Sequence, residues 1–205
     1  MNLPIDIDTV KGFLDPGEGR ALYDAARGAA ALGPLLEIGS YCGKSTVYLG
    51  TACKQTGNTL FALDHHRGSE EHQPGEEYHD PELFDPALGA FDTFREFRRT
   101  MTRADLDDHV VPLVTSSAVA GRHWQTPLGL VFIDGGHSFE AAETDYATWA
   151  EKVAPGGILA IHDLFPNPEE GGQAPITIYR RGVDSGLFEV LPVVRTLGVL
   201  RRKDG

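Results

Sequence analysis

Cysteine is scarce in this 205-residue sequence, with only Cys42 and Cys53 present. A disulfide scaffold is therefore not expected, and a reduced cytoplasmic setting is the default reading. No apolar run approaches the roughly 20 residues that a membrane-spanning helix needs. The start, Met1-Asn2-Leu3-Pro4-Ile5-Asp6, lacks the basic-then-apolar layout of a secretion signal. Positive charge is also in short supply: 18 Lys and Arg face 30 Asp and Glu, for a net charge of −12. That sign disfavours nucleic acid and anionic membrane as partners. The short basic cluster Arg201-Arg202-Lys203 reads as a solvated end. No internal repeat is present. A single domain spanning residues 1–205 accounts for the whole chain, long enough to bury roughly 70% of its unfolded surface.

Within that domain, β-rich runs alternate with helical patterns. Strands are expected at Leu35–Ile38, Thr59–Leu63, Val110–Val114, Leu128–Ile133, Ile158–Ile161, Phe188–Val194 and Leu197–Leu200. Helices fit between them at Lys44–Lys54, Phe91–Ala104, Ala118–His123, Phe139–Val153 and Ile176–Gly182. A leading helical region, Val10 to Ala31, is broken near Pro16-Gly17. This alternation implies an α/β fold, a mostly parallel sheet of seven strands with helices on both faces. Only Arg195-Thr196 separates the last two runs, too little for a helical crossover, so the final strand should be antiparallel. Lys152 to Gly157 reads as a helix stop and turn feeding a buried strand. One stretch, His65–Ala90, departs from the pattern, being poor in apolar residues and rich in Gly, Pro, Glu and His. Loops of that length are commonly lids or binding loops, and this one follows the second strand. It holds His65, His66, His72 and His79, and is expected to close over a ligand.

The most informative segment is Leu35-Leu36-Glu37-Ile38-Gly39-Ser40-Tyr41-Cys42-Gly43-Lys44-Ser45. Strand, tight Gly turn and helix together bring a polar ligand close to main chain at the carboxyl edge of a sheet. The spacing Gly39-x-x-x-Gly43 is neither the dinucleotide fingerprint nor the phosphate-binding loop. A carboxylate at Glu37 would repel a triphosphate and suits a ligand carrying positive charge. Asp64, ending the second strand, is placed to grip ribose hydroxyls of an adenosine ligand; a plainer reading makes it a turn cap. Thr115-Ser116-Ser117 could meet an adenine edge or cap a helix.

The fourth expected strand ends in Asp134-Gly135-Gly136-His137 and the fifth in His162-Asp163. In a parallel sheet these ends lie side by side. Asp134 and Asp163 suit a hard cation such as Mg²⁺, and His137 is a candidate general base. The plainer alternative is a helix-capping Asp134 and a core-bound His162. Cys42 has no base placed for it, so a nucleophilic thiol is not expected.

These residues resemble class I S-adenosylmethionine (SAM)-dependent methyltransferases over nearly the whole chain. Leu36 to Ser45 is similar to the first motif of the catechol O-methyltransferase type. Val131 to Glu140, then Asp145, Trp149, Pro155-Gly156-Gly157 and His162-Asp163, resemble a bacterial branch that includes macrolide-sugar O-methyltransferases of the macrocin type. A similarity to actinobacterial saccharide (methylmannose) O-methyltransferases rests on no single motif. The resemblance implies a Rossmann-like seven-stranded sheet with its last strand reversed, bound SAM, Mg²⁺ and a hydroxyl acceptor. Carried over by position, Gly39, Ser40, Tyr41 and Ser45 would line the methionine end of the cofactor, with Glu37 near it. Asp64 would hold the ribose, and Ser116 and Ser117 would neighbour the adenine. Asp134 and Asp163, with His162, would hold the metal. His137 falls where catechol enzymes place a lysine base and sugar enzymes a histidine, which implies a sugar-like or alkyl hydroxyl. His162 stands where the catechol enzymes have Asp, and the long His/Glu loop is absent from them.

The expected function is Mg²⁺-dependent methyl transfer from SAM to a hydroxyl of a sugar or saccharide-like molecule. The expected partner is a small-molecule or oligosaccharide acceptor, with neither nucleic acid nor membrane, and a homodimer is admitted. The rival readings are a same-fold enzyme of different chemistry, such as a cephalosporin-hydroxylase-like oxidation, and a non-catalytic saccharide- or adenosine-binding module.

Overall fold

Local signals place the first helix. Asp15 caps α1 (Pro16–Ala29) by accepting from the Gly17 amide, the Glu18 carboxylate accepts from the Asp15 amide in return, and Pro16 occupies the first turn. The computed structural model describes residues 1–69, 75, 80–87 and 89–204. After α1 come β1 (Leu35–Ile38), α2 (Lys44–Thr56), β2 (Leu60–Asp64), the two-residue strands β3 (Phe84–Asp85) and β4 (Ala90–Phe91), and α3 (Phe94–Arg103). The remainder is β5 (Val110–Val114), α4 (Ser117–Gly121), β6 (Leu128–Ile133), α5 (Phe139–Trp149), β7 (Val153–Ile161), α6 (Ala174–Asp184), β8 (Phe188–Val190) and β9 (Gly198–Arg202).

Seven strands form one sheet in the order β5-β2-β1-β6-β7-β9-β8. β5, β2, β1, β6 and β7 run parallel, and β9 is antiparallel to both of its neighbours. The expected reversed last strand is present, inserted between β7 and β8. Successive side chains of β1 and β6 go to opposite faces. Leu35, Leu130 and Phe132 join α1, α2 and α3 in one core, whereas Leu36, Ile38, Val131 and Ile133 join α5 and α6 in the other. Because both faces are covered, β6 is buried from end to end.

Strand order reverses at β1 and β6, so the crevice beyond their carboxyl ends is the natural ligand site of such a sheet. Several element ends differ from expectation. The helix at α5 stops at Trp149 and β7 starts at Val153, because Ala150–Lys152 tightens into a 3₁₀ turn. Helix α3 starts at Phe94, since Ala90–Phe91 pairs with Phe84–Asp85. Part of the apolar-poor stretch 65–90 is therefore packed. Leu83, Phe91 and Cys42 form a small buried cluster, and His66 is buried beside Phe94 and Phe97. His72, His79 and the other residues at 70–74 and 76–79 lie outside the described residues, as does the expected closure they were to make. Among the described residues, no helix is long and apolar enough to cross a membrane.

Candidate active site

The Gly turn after β1 is built around a close approach. Gly39 has φ +88°, and a Cβ there would sit 1.9 Å from the Asp134 carbonyl oxygen, so this contact between the ends of β1 and β6 requires glycine. Gly43, also left-handed, starts α2. Tyr41 between them has φ +46°, which is costly for a side chain of that size. Its amide donates to Asp64 Oδ2 at 2.8 Å, while Asp64 Oδ1 accepts from the His66 amide at 2.7 Å. Asp64 thus braces the turn, as the plainer reading had it, and also lines the crevice.

A cleft of about 500 Å³ runs along this edge. Gly39, Tyr41 and Asp134 line one end, Asp64 and His65 the middle, and Ser116, Ser117 and Asp145 the other. Ser117 Oγ accepts from the Trp149 indole at 3.2 Å. Asp145 is buried, which pushes its carboxyl up to about 6 against the opposing hydrogen bond to Ser117. A second cleft adjoins the first and is lined by Lys11, Phe13, Ser40, Tyr41, Ser45, His137, His162 and Asp163. The buried Ser40 hydroxyl has no hydrogen-bond partner among the described residues.

Glu37 lines neither cleft. Its carboxyl is fully buried under the turn and accepts from Ser45 Oγ and Thr46 Oγ1, each at 2.5 Å. Burial, opposed by those hydroxyls and reinforced by the charges of Asp134 and Asp64, raises it to about 8. The charge that suited Glu37 to a cationic ligand is therefore not favoured at neutral pH, and its two bonds instead lock the start of α2 to β1. The Ser45 hydroxyl, expected on the ligand, is committed to Glu37.

Asp134, His162 and Asp163 converge, with one ligand atom from each within 4.8 Å of the others. His162 Nδ1 lies 3.1 Å from Asp134 Oδ1 and 3.3 Å from Asp163 Oδ1. Its Nε2 lies 2.9 Å from Glu18 Oε2. Burial works against a charged imidazole, but the three carboxylates outweigh it and push His162 up to about 12. Burial likewise works against the Asp163 carboxylate, yet hydrogen bonds from His137 and His162 hold it well below the usual range. Asp163 has φ +58°, another strained residue at the site. Its Oδ2 lies 3.0 Å from Nε2 of His137. His137 sits in the loop before α5, which Ser138 caps, and not in the helix itself. Cys42 is buried, and burial raises its thiol to about 12, which disfavours the thiolate near neutral pH.

Sequence reasoning did not single out Glu18, Lys11, Phe13 or a role for Asp145. Glu18 was visible only as the last residue of Asp15-x-x-Glu18, a capping box. Nothing local says that its carboxylate reaches a strand end far along the chain. Lys11 binds Asp80 and Glu82 at 2.5 and 2.6 Å, strapping the segment that carries Phe13 to the described end of the long loop.

Comparison with known proteins gives a family described as a methyltransferase domain, matching residues 36–164. The fold is similar to that of the O-methyltransferase NovP, with TM-score 0.70 and 18% identity, covering 92% of this chain and 80% of that one. It is also similar to the O-methyltransferase TomG of Streptomyces achromogenes, involved in tomaymycin synthesis and solved with SAM. There the TM-score is 0.65 at 14% identity, covering 94% of this chain and 82% of that one. An O-methyltransferase from Bacillus cereus in complex with SAH gives TM-score 0.65 at 15% identity, covering 94% and 83%. At these identities the likeness is one of fold.

Proposed function

This chain belongs to the methyltransferase-domain family, and on that premise we propose that it moves a methyl group from SAM to a hydroxyl of a saccharide-like small molecule with a divalent cation, Mg²⁺ being the first candidate. The observation that carries the reading is the meeting of the Gly39 turn, Asp64 and the Asp134–His162–Asp163 cluster on one crevice. The cleft suits the cofactor. It runs from Gly39 and Tyr41 past Asp64 to Ser116 and Ser117, which suits amino acid, ribose and adenine in turn, and the orphaned Ser40 hydroxyl lines the adjoining cleft. The cluster suits a cation, since two carboxylates and an imidazole nitrogen face one another.

When bound, SAM supplies an electrophilic methyl, and a divalent cation acidifies and orients a hydroxyl beside it. Asp134, Asp163 and His162 Nδ1 would hold the cation, Nδ1 exchanging its proton for it. His137 is the base. Donation from its Nε2–H to Asp163 Oδ2 orients the ring and leaves Nδ1 as the basic nitrogen, which receives the acceptor's hydroxyl proton. The Gly39 turn brings backbone to the sulfonium end without a side chain intervening. Phe13 and Tyr41, with ring centroids 6.2 Å apart, wall the second cleft on the acceptor side.

The test is a methyl-transfer screen with labelled SAM against sugars, glycosides and phenols, with and without chelator. Transfer to glycosides that stops on chelation and returns with Mg²⁺ is expected. Transfer only to phenols, or undiminished transfer after thorough chelation, would overturn the acceptor class or the metal in turn.

A further inference from the structure

We propose that Glu18 is a positioning residue for the metal centre: it holds His162 in the tautomer and orientation that turn Nδ1 toward Asp134 and Asp163. This rests on the cation site of the proposed function. As a capping residue, Glu18 needs one oxygen at the N-terminus of α1, in contact with water. It is instead 3% exposed. Burying a carboxylate is costly unless its lone pairs are filled, and here they are. Oε1 accepts from the Thr196 amide at 2.9 Å and the Thr196 hydroxyl at 2.8 Å. Oε2 accepts from the Asp15 amide at 3.2 Å and meets His162 Nε2 at 2.9 Å. Helix capping explains one of these four contacts. The others join α1 to the end of β7 and to the turn before β9, and they converge on the imidazole.

An ionised carboxylate only accepts, so the nitrogen facing Glu18 must carry the hydrogen. Nδ1, beside both aspartates, carries a hydrogen as well while no cation is held; when that proton is given up for a cation, the hydrogen kept on Nε2 by Glu18 leaves the Nδ1 lone pair as donor. A carboxylate behind a metal-binding histidine sets ring angle and basicity in this way, and its loss commonly lowers metal affinity by about 10–100-fold. Glu18 touches neither cation nor substrate and acts through His162.

The experiment uses Mn²⁺ alone, without SAM or acceptor, as a paramagnetic probe of the full chain. Wild-type protein should bind Mn²⁺ with a nitrogen coupling in pulsed EPR that disappears in His162→Ala. Glu18→Gln keeps side-chain size but can offer its amide N–H to the ring, so the tautomer is no longer fixed. It should bind Mn²⁺ about 10–100-fold more weakly. Should Glu18→Gln fold poorly, Thr196→Val, which removes the hydroxyl bond to Oε1 and the same hydroxyl's 3.5 Å contact with His162 Nε2, should weaken Mn²⁺ binding in the same direction. A lower melting temperature with unchanged Mn²⁺ affinity would make Glu18 a helix-to-sheet tie only and overturn the proposal. So would Mn²⁺ binding without nitrogen coupling in the wild type. Absence of any Mn²⁺ binding would instead fell the cation site itself, and the role of Glu18 with it.

Discussion

Single residues at this crevice carry two duties, and the two can be separated by measurement. Asp64 braces the Tyr41 and His66 amides, and in the proposed function it also takes the ribose diol. Asp64→Asn keeps one acceptor oxygen but loses the charge. Cofactor affinity by titration calorimetry should fall by about 10-fold or more, since hydrogen bonds to charged groups contribute roughly 1.5–3 kcal/mol. If affinity holds while the melting temperature falls, Asp64 is a brace alone. For His137 the prediction concerns rate. Its imidazole is only partly exposed and is held by Asp163. His137→Ala should lower methyl transfer by roughly 10²–10⁴-fold, with SAM affinity little changed. A variant that loses binding yet keeps its maximal rate would reassign His137 to positioning.

At the level of elements, the strand–turn–helix unit of β1 and α2 was legible because its information is local. A short apolar strand, two glycines and a helical pattern name the motif without tertiary knowledge. The same locality explains what was not legible. Glu37 looked like a ligand-facing charge because it adjoins the turn, but the pleat of β1 sends it inward onto Ser45 and Thr46. Which face a strand residue takes depends on what the sheet packs against, and that is not written in four residues. Glu18 was hidden for a related reason, since its capping box is local but its bond to His162 closes across 144 residues of sequence. The boundaries that shifted, at Phe94 and Val153, lie where weak local signals compete with pairing partners far away. A pH prediction follows for the β1–α2 unit. Glu37 titrates ordinarily at 4.5 and at about 8 when folded. Its folded value is raised, so the unfolded state loses this proton first. Stability from this group is complete below 4.5, declines as pH rises, and levels off above about 8. Glu37→Gln should flatten that part of the curve of melting temperature against pH. An unaltered slope between pH 5 and 8 in the variant would show that other groups set it.

The whole chain is needed to assemble this site. α1 supplies Glu18, the ends of β1, β2, β6 and β7 supply the Gly turn, Asp64, Asp134, His162 and Asp163, and the turn before β9 supplies Thr196. β1 and β6 meet at the Gly39–Asp134 contact, where the two halves of the sheet diverge. A ligand bound across that line touches residues from both halves and should stabilise them together. With SAM at about 100 times its dissociation constant, mass action adds about 2.7 kcal/mol to folding. For a domain of this size that corresponds to a rise in melting temperature of roughly 5–10 °C. The shift should move one cooperative transition and not split it, because the cleft proposed for the cofactor is lined from both sides of the strand-order reversal. Differential scanning calorimetry with and without SAM reads this directly. A saturating cofactor that leaves the midpoint in place would count against SAM binding. A stabilised first half melting apart from an unshifted second half would show that the cleft closes on one side of the sheet only.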